Sequence, residues 1–344
     1  MALARGKQER ESESMQAIFL SNDPAQLRRV YSGAVIERLE QSARCAQPVF
    51  TWADVLAAPE TFRDVRAVFS TWGMPAATEE ELARCLPKLQ YVFYAAGTVQ
   101  RFARPFFQRG VRIFHAAAAN GIPVAEYAAS AILLANKGFF QALRIPGRAE
   151  QLAHVLQHPG NFNARVGLIG AGKIGRLVIG LLRAHRLQLV VYDPYLPEEQ
   201  AQALGVARVS LEELFETCDV ISNHLPNNAQ TAGMLNYALF SRIKPWATFL
   251  NTGRGAQVVE ADLVRALREK PDVTALLDVT DPEPCAPEHP FHTMKNVFLT
   301  PHIAGSLREE CARMAEYMAD EWDRLQCGEP PQYEVKPEAL AHMA

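Results

Sequence analysis

Residues 165–193 carry the pattern that most constrains this chain. Gly170-Ala171-Gly172-Lys173-Ile174-Gly175 lies between the apolar run Arg165–Ile169 and a stretch in which Ile174, Leu177, Val178, Leu181 and Leu182 recur at helical spacing. A second apolar run, Gln188–Tyr192, ends on Asp193, 18 residues past Gly175. Strand, glycine turn, helix, strand and acid form a dinucleotide-binding unit in its required order. Gly170 allows the tight turn, Gly172 leaves room for a pyrophosphate against the backbone, and Gly175 lets helix and strand approach. The helix N-terminus offers unpaired N–H groups to phosphate, and an acid at Asp193 suits the ribose hydroxyls of NAD. A glycine turn that merely packed strand on helix would leave the aspartate unexplained.

Around that unit there is room for a second domain, since 344 residues correspond to about two domains. Apolar residues make up 49% of the chain, enough for two cores, and no long block of like charge accompanies the net charge of −3. Nucleic acid and anionic membranes are therefore not expected partners. Six cysteines (Cys45, Cys85, Cys218, Cys285, Cys311, Cys327) form no CxxC pair and no zinc spacing with histidine. They read as reduced thiols of a cytoplasmic protein, and no metal site is expected. Residues 1–14 are polar and charged, which suggests a solvated tail rather than a signal peptide. No run approaches the roughly 20 apolar residues of a membrane span.

Before the fingerprint, short apolar runs alternate with helical patterns. Candidate strands are 16–21, 47–51, 67–72, 91–96 and 112–115. Such alternation predicts a parallel sheet covered by helices. A helix is expected from Val124 to about Lys137, and 138–164 reads as irregular because of Pro146, Gly147, Pro159 and Gly160. Beyond the fingerprint, strands are expected at 220–225, 248–253, 274–279 and 297–301. A last helix places Leu307, Cys311, Met314, Met318, Trp322 and Leu325 on one face.

Three residues follow the ends of these later strands, where ligands bind in open α/β sheets. They are Arg254 in Asn-Thr-Gly-Arg-Gly, Glu283 in Asp-Pro-Glu-Pro and His302 in Thr-Pro-His-Ile. Reduction of a 2-keto acid needs a clamp for the carboxylate, a polarising group for the ketone and a proton for the developing alkoxide. Arginine's charged fork suits the first two tasks. Histidine suits the third, because its ordinary pKa lies near neutrality. A carboxylate on the far ring nitrogen orients the imidazole and stabilises its protonated form.

With GAGKIG (170–175), NTGRG (251–255), LDVTDPEP (277–284) and TPHIAGS (300–306) in place, and weaker matches at HLPNNAQT (224–231) and NGIPVAEY (120–127), the chain resembles the D-isomer-specific 2-hydroxyacid dehydrogenases. The resemblance implies an α/β fold of two doubly wound parallel-sheet domains, one flavodoxin-like for substrate and one Rossmann for NAD, with a cleft between. The substrate domain would be split, 15–123 and 307–344, around an NAD-binding domain at 124–306. It assigns Arg254 to the carboxylate, His302 to acid/base work and Glu283 to His302. It implies cofactor contacts at Gly170, Gly172, Lys173, Ile174, Gly175, Asp193, His224, Leu225, Pro226, Thr231, Thr252, Gly253, Arg254, Asp278, His302 and Ala304. Substrate contacts would be Trp72, Ala96, Gly97, Thr98, Arg254 and His302, with backbone N–H groups near Gly97 holding the carboxylate. A homodimer through a projecting arm at 138–160 is also implied. The chain departs from the family at Thr98-Val99-Gln100-Arg101, at Asn161-Phe162-Asn163 where a tryptophan is common, and at Trp72, departures that bear on substrate identity.

The reading that follows is an NAD-dependent oxidoreductase interconverting a 2-keto acid and a D-2-hydroxy acid. The alternative is a non-enzymatic, NAD-sensing binding protein like the corepressors that share this fold. A formate enzyme would carry glutamine where Glu283 stands. His115, His154, His158, His185, His289 and His292 read as surface or structural residues.

Overall fold

The protein is represented by a computed structural model that describes residues 16–342; the tail read at 1–14 lies outside them. The chain divides into two compact units. One comprises the residues up to Asn120 together with those from Ser306 onward, and the other is Gly121–Gly305.

The first unit is built on β1 (Gln16–Leu20), β2 (Cys45–Phe50), β3 (Val65–Ser70), β4 (Tyr91–Tyr94) and β5 (Arg112–His115). They lie in the order β5-β4-β3-β1-β2, all parallel, and a short strand, Glu334–Val335, pairs antiparallel to β5 at the edge. This 2-1-3-4-5 arrangement is the flavodoxin-like winding. The registers set Phe69 opposite Phe93 and Phe93 opposite Phe114. The rings stack at 4.9 and 5.0 Å, and Trp322 meets Phe69 and Phe93 edge-on. Trp322 comes from the helix Glu309–Cys327, which buries Cys311, Met314, Met318 and Trp322 against the sheet. That helix also carries the fully buried Glu321, whose carboxylate accepts the N–H groups of Gln332 (2.8 Å) and Tyr333 (3.2 Å).

The second unit holds β6 (Phe162–Ile169), β7 (Arg186–Tyr192), β8 (Ala207–Arg208), β9 (Val220–Asn223), β10 (Thr248–Asn251), β11 (Thr274–Leu277) and β12 (Val297–Leu299). Their order is β12-β11-β10-β9-β6-β7-β8 and every pairing is parallel. β9, β10 and β11 are buried along their whole length, with apolar residues such as Ile221, Phe249, Leu250, Ala275 and Leu276 at their centres and buried polar residues toward their ends. The winding direction reverses between β6 and β9, which places the ligand crevice of such a sheet at their carboxyl ends.

Two expectations are corrected. The helix expected from Val124 begins at Ala117 and runs to Ala135, straight through Pro123. Proline removes one hydrogen bond, but Ala125, Ala128, Ala129, Ile132 and Ala135 are buried in the second unit's core and hold the helix together. This helix is long and apolar enough to cross a membrane by length and composition, and half of it is buried within the protein. The stretch 138–164 is not irregular: it contains the helices Phe139–Ala142 and Arg148–Val155, and β6 already begins at Phe162. Its prolines and glycines bracket the second helix instead of interrupting it.

Candidate active site

The glycine turn follows β6. Gly170 has φ +97°, and a Cβ there would lie 3.0 Å from the His224 carbonyl oxygen. Gly175 is buried in the first turn of the helix Lys173–Leu182, where a Cβ would come within 2.2 Å of the Gly170 oxygen. A Cβ at Gly172 would meet nothing within 4 Å, so the helix N-terminus opens onto free space. Lys173 is exposed beside it, and Ile174 packs partly into the core. Asp193 ends β7. Its two carboxylate oxygens accept the N–H groups of Ala171 and Tyr195, each at 2.8 Å, which fixes the acid beside the glycine turn. Arg176, which the sequence reading did not single out, donates to the Ala171 carbonyl (2.9 Å) and to Gln200 (2.6 Å), so a cation stands near Asp193.

At the ends of β9 and β10 a buried amide network ties two loops together. Asn223 Nδ2 donates to Asn251 (2.9 Å) and Gln257 (2.6 Å). Gln257 Nε2 donates to the carbonyls of Leu225 and Pro226, both at 2.8 Å. Thr231 Oγ1 closes the same loop on Pro226 O at 2.6 Å. Asn251 accepts from Gly253 N–H (3.0 Å), and Gln257 accepts from Arg254 N–H (3.2 Å). Gly255 completes the turn: a Cβ there would lie 2.0 Å from the Thr280 carbonyl carbon. Arg254 is therefore presented on a turn braced from two sides, with its Nη1 donating to Gly253 O at 2.7 Å. Burial pulls its pKa down and the nearby Glu283 charge pushes it back up; a guanidinium so placed stays charged.

His302 stands after β12 with φ +55°, the left-handed region that a non-glycine residue occupies only when its surroundings impose it. Asp278 imposes it. This buried acid accepts Thr300 Oγ1 (2.6 Å) and the N–H groups of Ile303 (2.8 Å) and Ala304 (2.9 Å), while its carbonyl accepts His302 N–H (3.1 Å). Tyr127 adds a bond to Thr300 at 3.2 Å. Asp278, expected at the cofactor, thus also shapes the histidine's loop. The His302 Nδ1 meets Glu283 Oε1 at 2.6 Å, and both side chains are about two-fifths exposed (44% and 40%). A carboxylate oxygen can only accept from the ring, so Nδ1 carries the proton and Nε2 is left for chemistry. Arg254, Glu283 and His302, separated in sequence, come together in the second unit.

His224 is buried. Its Nε2 bonds Ser222 Oγ at 2.9 Å, and burial pushes its pKa down to about 4. Its Nδ1 and the hydroxyl of Thr252 are buried without a hydrogen-bond partner among the described residues. In the first unit, Trp72 is half-buried between two parts of the core. Ala96 is buried, and Gly97 and Thr98 are partly exposed. No group of three or more His, Cys, Asp or Glu among the described residues is placed to hold a metal ion.

A doubly wound sheet with this turn, acid and trio defines a dinucleotide-binding α/β protein. Residues 136–304 match the sequence model described as "D-isomer specific 2-hydroxyacid dehydrogenase, NAD binding domain". A glyoxylate reductase of Korarchaeum cryptofilum is 29% identical over 286 residues, covering 82% of this chain and 86% of the reductase. A D-3-phosphoglycerate dehydrogenase of Archaeoglobus fulgidus is 30% identical over 65% of this chain, which spans 42% of that enzyme's length. Among solved structures, D-mandelate dehydrogenase of Rhodotorula graminis shares the fold at TM-score 0.80 and 22% identity, over 94% of this chain and 98% of that one. Residues 136–304 belong to the NAD-binding domain family of the D-isomer-specific 2-hydroxyacid dehydrogenases. The cofactor is NAD(H). The residues present fit it: open space at Gly172, an acid at Asp193, and two buried polar atoms, Thr252 Oγ1 and His224 Nδ1, without a hydrogen-bond partner among the described residues.

Proposed function

We propose that this protein interconverts a small 2-keto acid and the corresponding D-2-hydroxy acid. The observation that carries the reading is the 2.6 Å bond between His302 Nδ1 and Glu283 in the same unit as Arg254. Arg254 receives the substrate carboxylate through its fork and draws electron density from the adjacent ketone. His302 Nε2 gives its proton to the ketone oxygen as that oxygen becomes a hydroxyl, and takes the proton back in the reverse direction. Glu283 keeps the ring oriented and balances the positive charge of the protonated ring. Bound nicotinamide supplies or accepts the hydride. The glycine turn, Asp193 and the loops at 224–231, 252–254 and 302–304 are assigned to hold the cofactor. In the first unit, Trp72 and the loop Ala96-Gly97-Thr98 are assigned to the substrate.

NADH consumption against glyoxylate, pyruvate, hydroxypyruvate and phenylpyruvate tests the reading. Reduction of at least one acid is expected. His302→Ala should lower it by about 10²–10⁴ while NADH still binds. Arg254→Lys should be poor, because one ammonium cannot replace a bidentate fork. NADH binding without turnover of any keto acid would favour a cofactor-sensing binding protein instead.

A homodimer is part of the same proposal. Leu143, Leu152 and Leu156 are 65%, 53% and 71% exposed on the segment that carries the helix Arg148–Val155, an apolar group of the kind that marks an association surface. Light scattering should give twice the chain mass, and Leu152→Glu with Leu156→Glu should halve it. A wild-type monomer would refute the dimer.

A further inference from the structure

We infer that His115 is a positioning residue for the substrate carboxylate: its ring turns the Gly97 carbonyl inward, so that the loop presents N–H groups on its other side. The inference rests on the assignment of loop 96–98 to the substrate. Beyond β4 the chain runs Ala95-Ala96-Gly97-Thr98, and three successive carbonyls are tied down. Ala95 O accepts Thr71 Oγ1 at 2.7 Å. Ala96 O accepts Ala116 N–H at 3.0 Å. Gly97 O lies 2.8 Å from His115 Nδ1.

A planar trans peptide points its carbonyl and the following N–H in opposite directions. Fixing the carbonyls of Ala96 and Gly97 therefore aims the N–H groups of Gly97 and Thr98 the other way. Neither N–H donates to an acceptor among the described residues. A Cβ on Gly97 would meet nothing within 4 Å, so that side of the loop is open. Two unspent donors beside open space suit a carboxylate.

The Gly97 carbonyl can only accept, so His115 Nδ1 carries the proton. The ring is 8% exposed and cannot swing away. Its backbone is held as well: His115 N–H donates to Tyr333 O at 3.0 Å, and the Tyr333 N–H is fixed by the buried Glu321. No other side chain among the described residues donates to the Gly97 carbonyl. Without the ring, the Gly97–Thr98 peptide can rotate and the Thr98 donor loses its aim.

Three substitutions separate this role from general support of the core. His115→Leu removes the donor. His115→Gln carries its amide one methylene too far. His115→Asn returns an N–H close to the position of Nδ1. The keto-acid KM should rise about three- to tenfold in the Leu and Gln variants, the loss expected for one neutral hydrogen bond. Their kcat should stay within about twofold, NADH affinity should hold, and His115→Asn should recover most of the KM. Oxamate titrated into the NADH-loaded protein should show the same loss of affinity without turnover. If His115→Leu does not fold, the Asn and Gln variants decide. An active wild type whose KM and oxamate affinity are unmoved by His115→Gln overturns this inference alone. A wild type that neither reduces a keto acid nor binds oxamate overturns the functional reading and this inference with it.

Discussion

Asp193 places a full negative charge at the end of β7, and its two backbone bonds leave it little freedom to move. A 2′-phosphate brought there meets that charge, which matches the NAD-binding domain of the family. Yet Arg176 stands beside the same turn, held by Ala171 O and Gln200. Asp193→Ser removes the repulsion and leaves the arginine. The ratio of kcat/KM for NADPH to that for NADH should then rise at least about tenfold, since arginine is the usual partner of the 2′-phosphate. An unchanged ratio would mean that Asp193 does not read the ribose. The aspartate was visible in the sequence because its place is counted from the glycines. Arg176 was not, because helix geometry brings it to Ala171 and Gln200, and no spacing rule announces that.

At the scale of elements, the loops after β9 and β10 act as one piece through Asn223, Asn251 and Gln257. Gln257→Leu keeps the bulk but strips the carbonyls of Leu225 and Pro226, the Asn223 amide and the Arg254 N–H of a partner. Each buried group left unpaired costs about 1–3 kcal/mol. The variant should lose at least about 2 kcal/mol by urea unfolding, with KM for the keto acid raised as the Arg254 turn loosens. Wild-type stability would show that the network is dispensable. The strands and glycine turn were legible because each is written in a short window of residues. Gln257 is 32 residues from Leu225, and His115 is 18 from Gly97; such partners become neighbours only when parallel strands align. The helix expected from Val124 starts earlier, at Ala117, because burial of the rest of its face outweighs the one hydrogen bond that Pro123 removes.

For the molecule as a whole, buried imidazoles set an acid limit. His224 is held neutral, with its pKa pushed down to about 4 by burial, whereas an unfolded chain takes up that proton near pH 6.5. Above the unfolded value neither form is protonated and stability is unaffected. Between about 6.5 and 4 the unfolded chain binds the proton and the folded chain refuses it, so stability falls as pH falls. His224 alone should account for about 2 kcal/mol between pH 7.5 and pH 5. His158, pushed the same way by burial to about 4, adds to the loss. Urea midpoints at the two pH values measure it, and a midpoint that holds or rises toward pH 5 would contradict the burial of His224.

The first unit's core closes only when Trp322 and Met318 reach the ring ladder of Phe69, Phe93 and Phe114. Those rings stand at 69, 93 and 114, and their cover comes only at 318 and 322. Gly121–Gly305, by contrast, is one uninterrupted stretch. During synthesis the order of birth and the order of completion are therefore reversed: the early strands wait, apolar and unsheltered, while the nucleotide-binding unit finishes ahead of them. A nascent chain that has just extruded Gly305 from the ribosome carries a completed cofactor-binding unit and a sheet with one face still open, the species for which a chaperone has most to do.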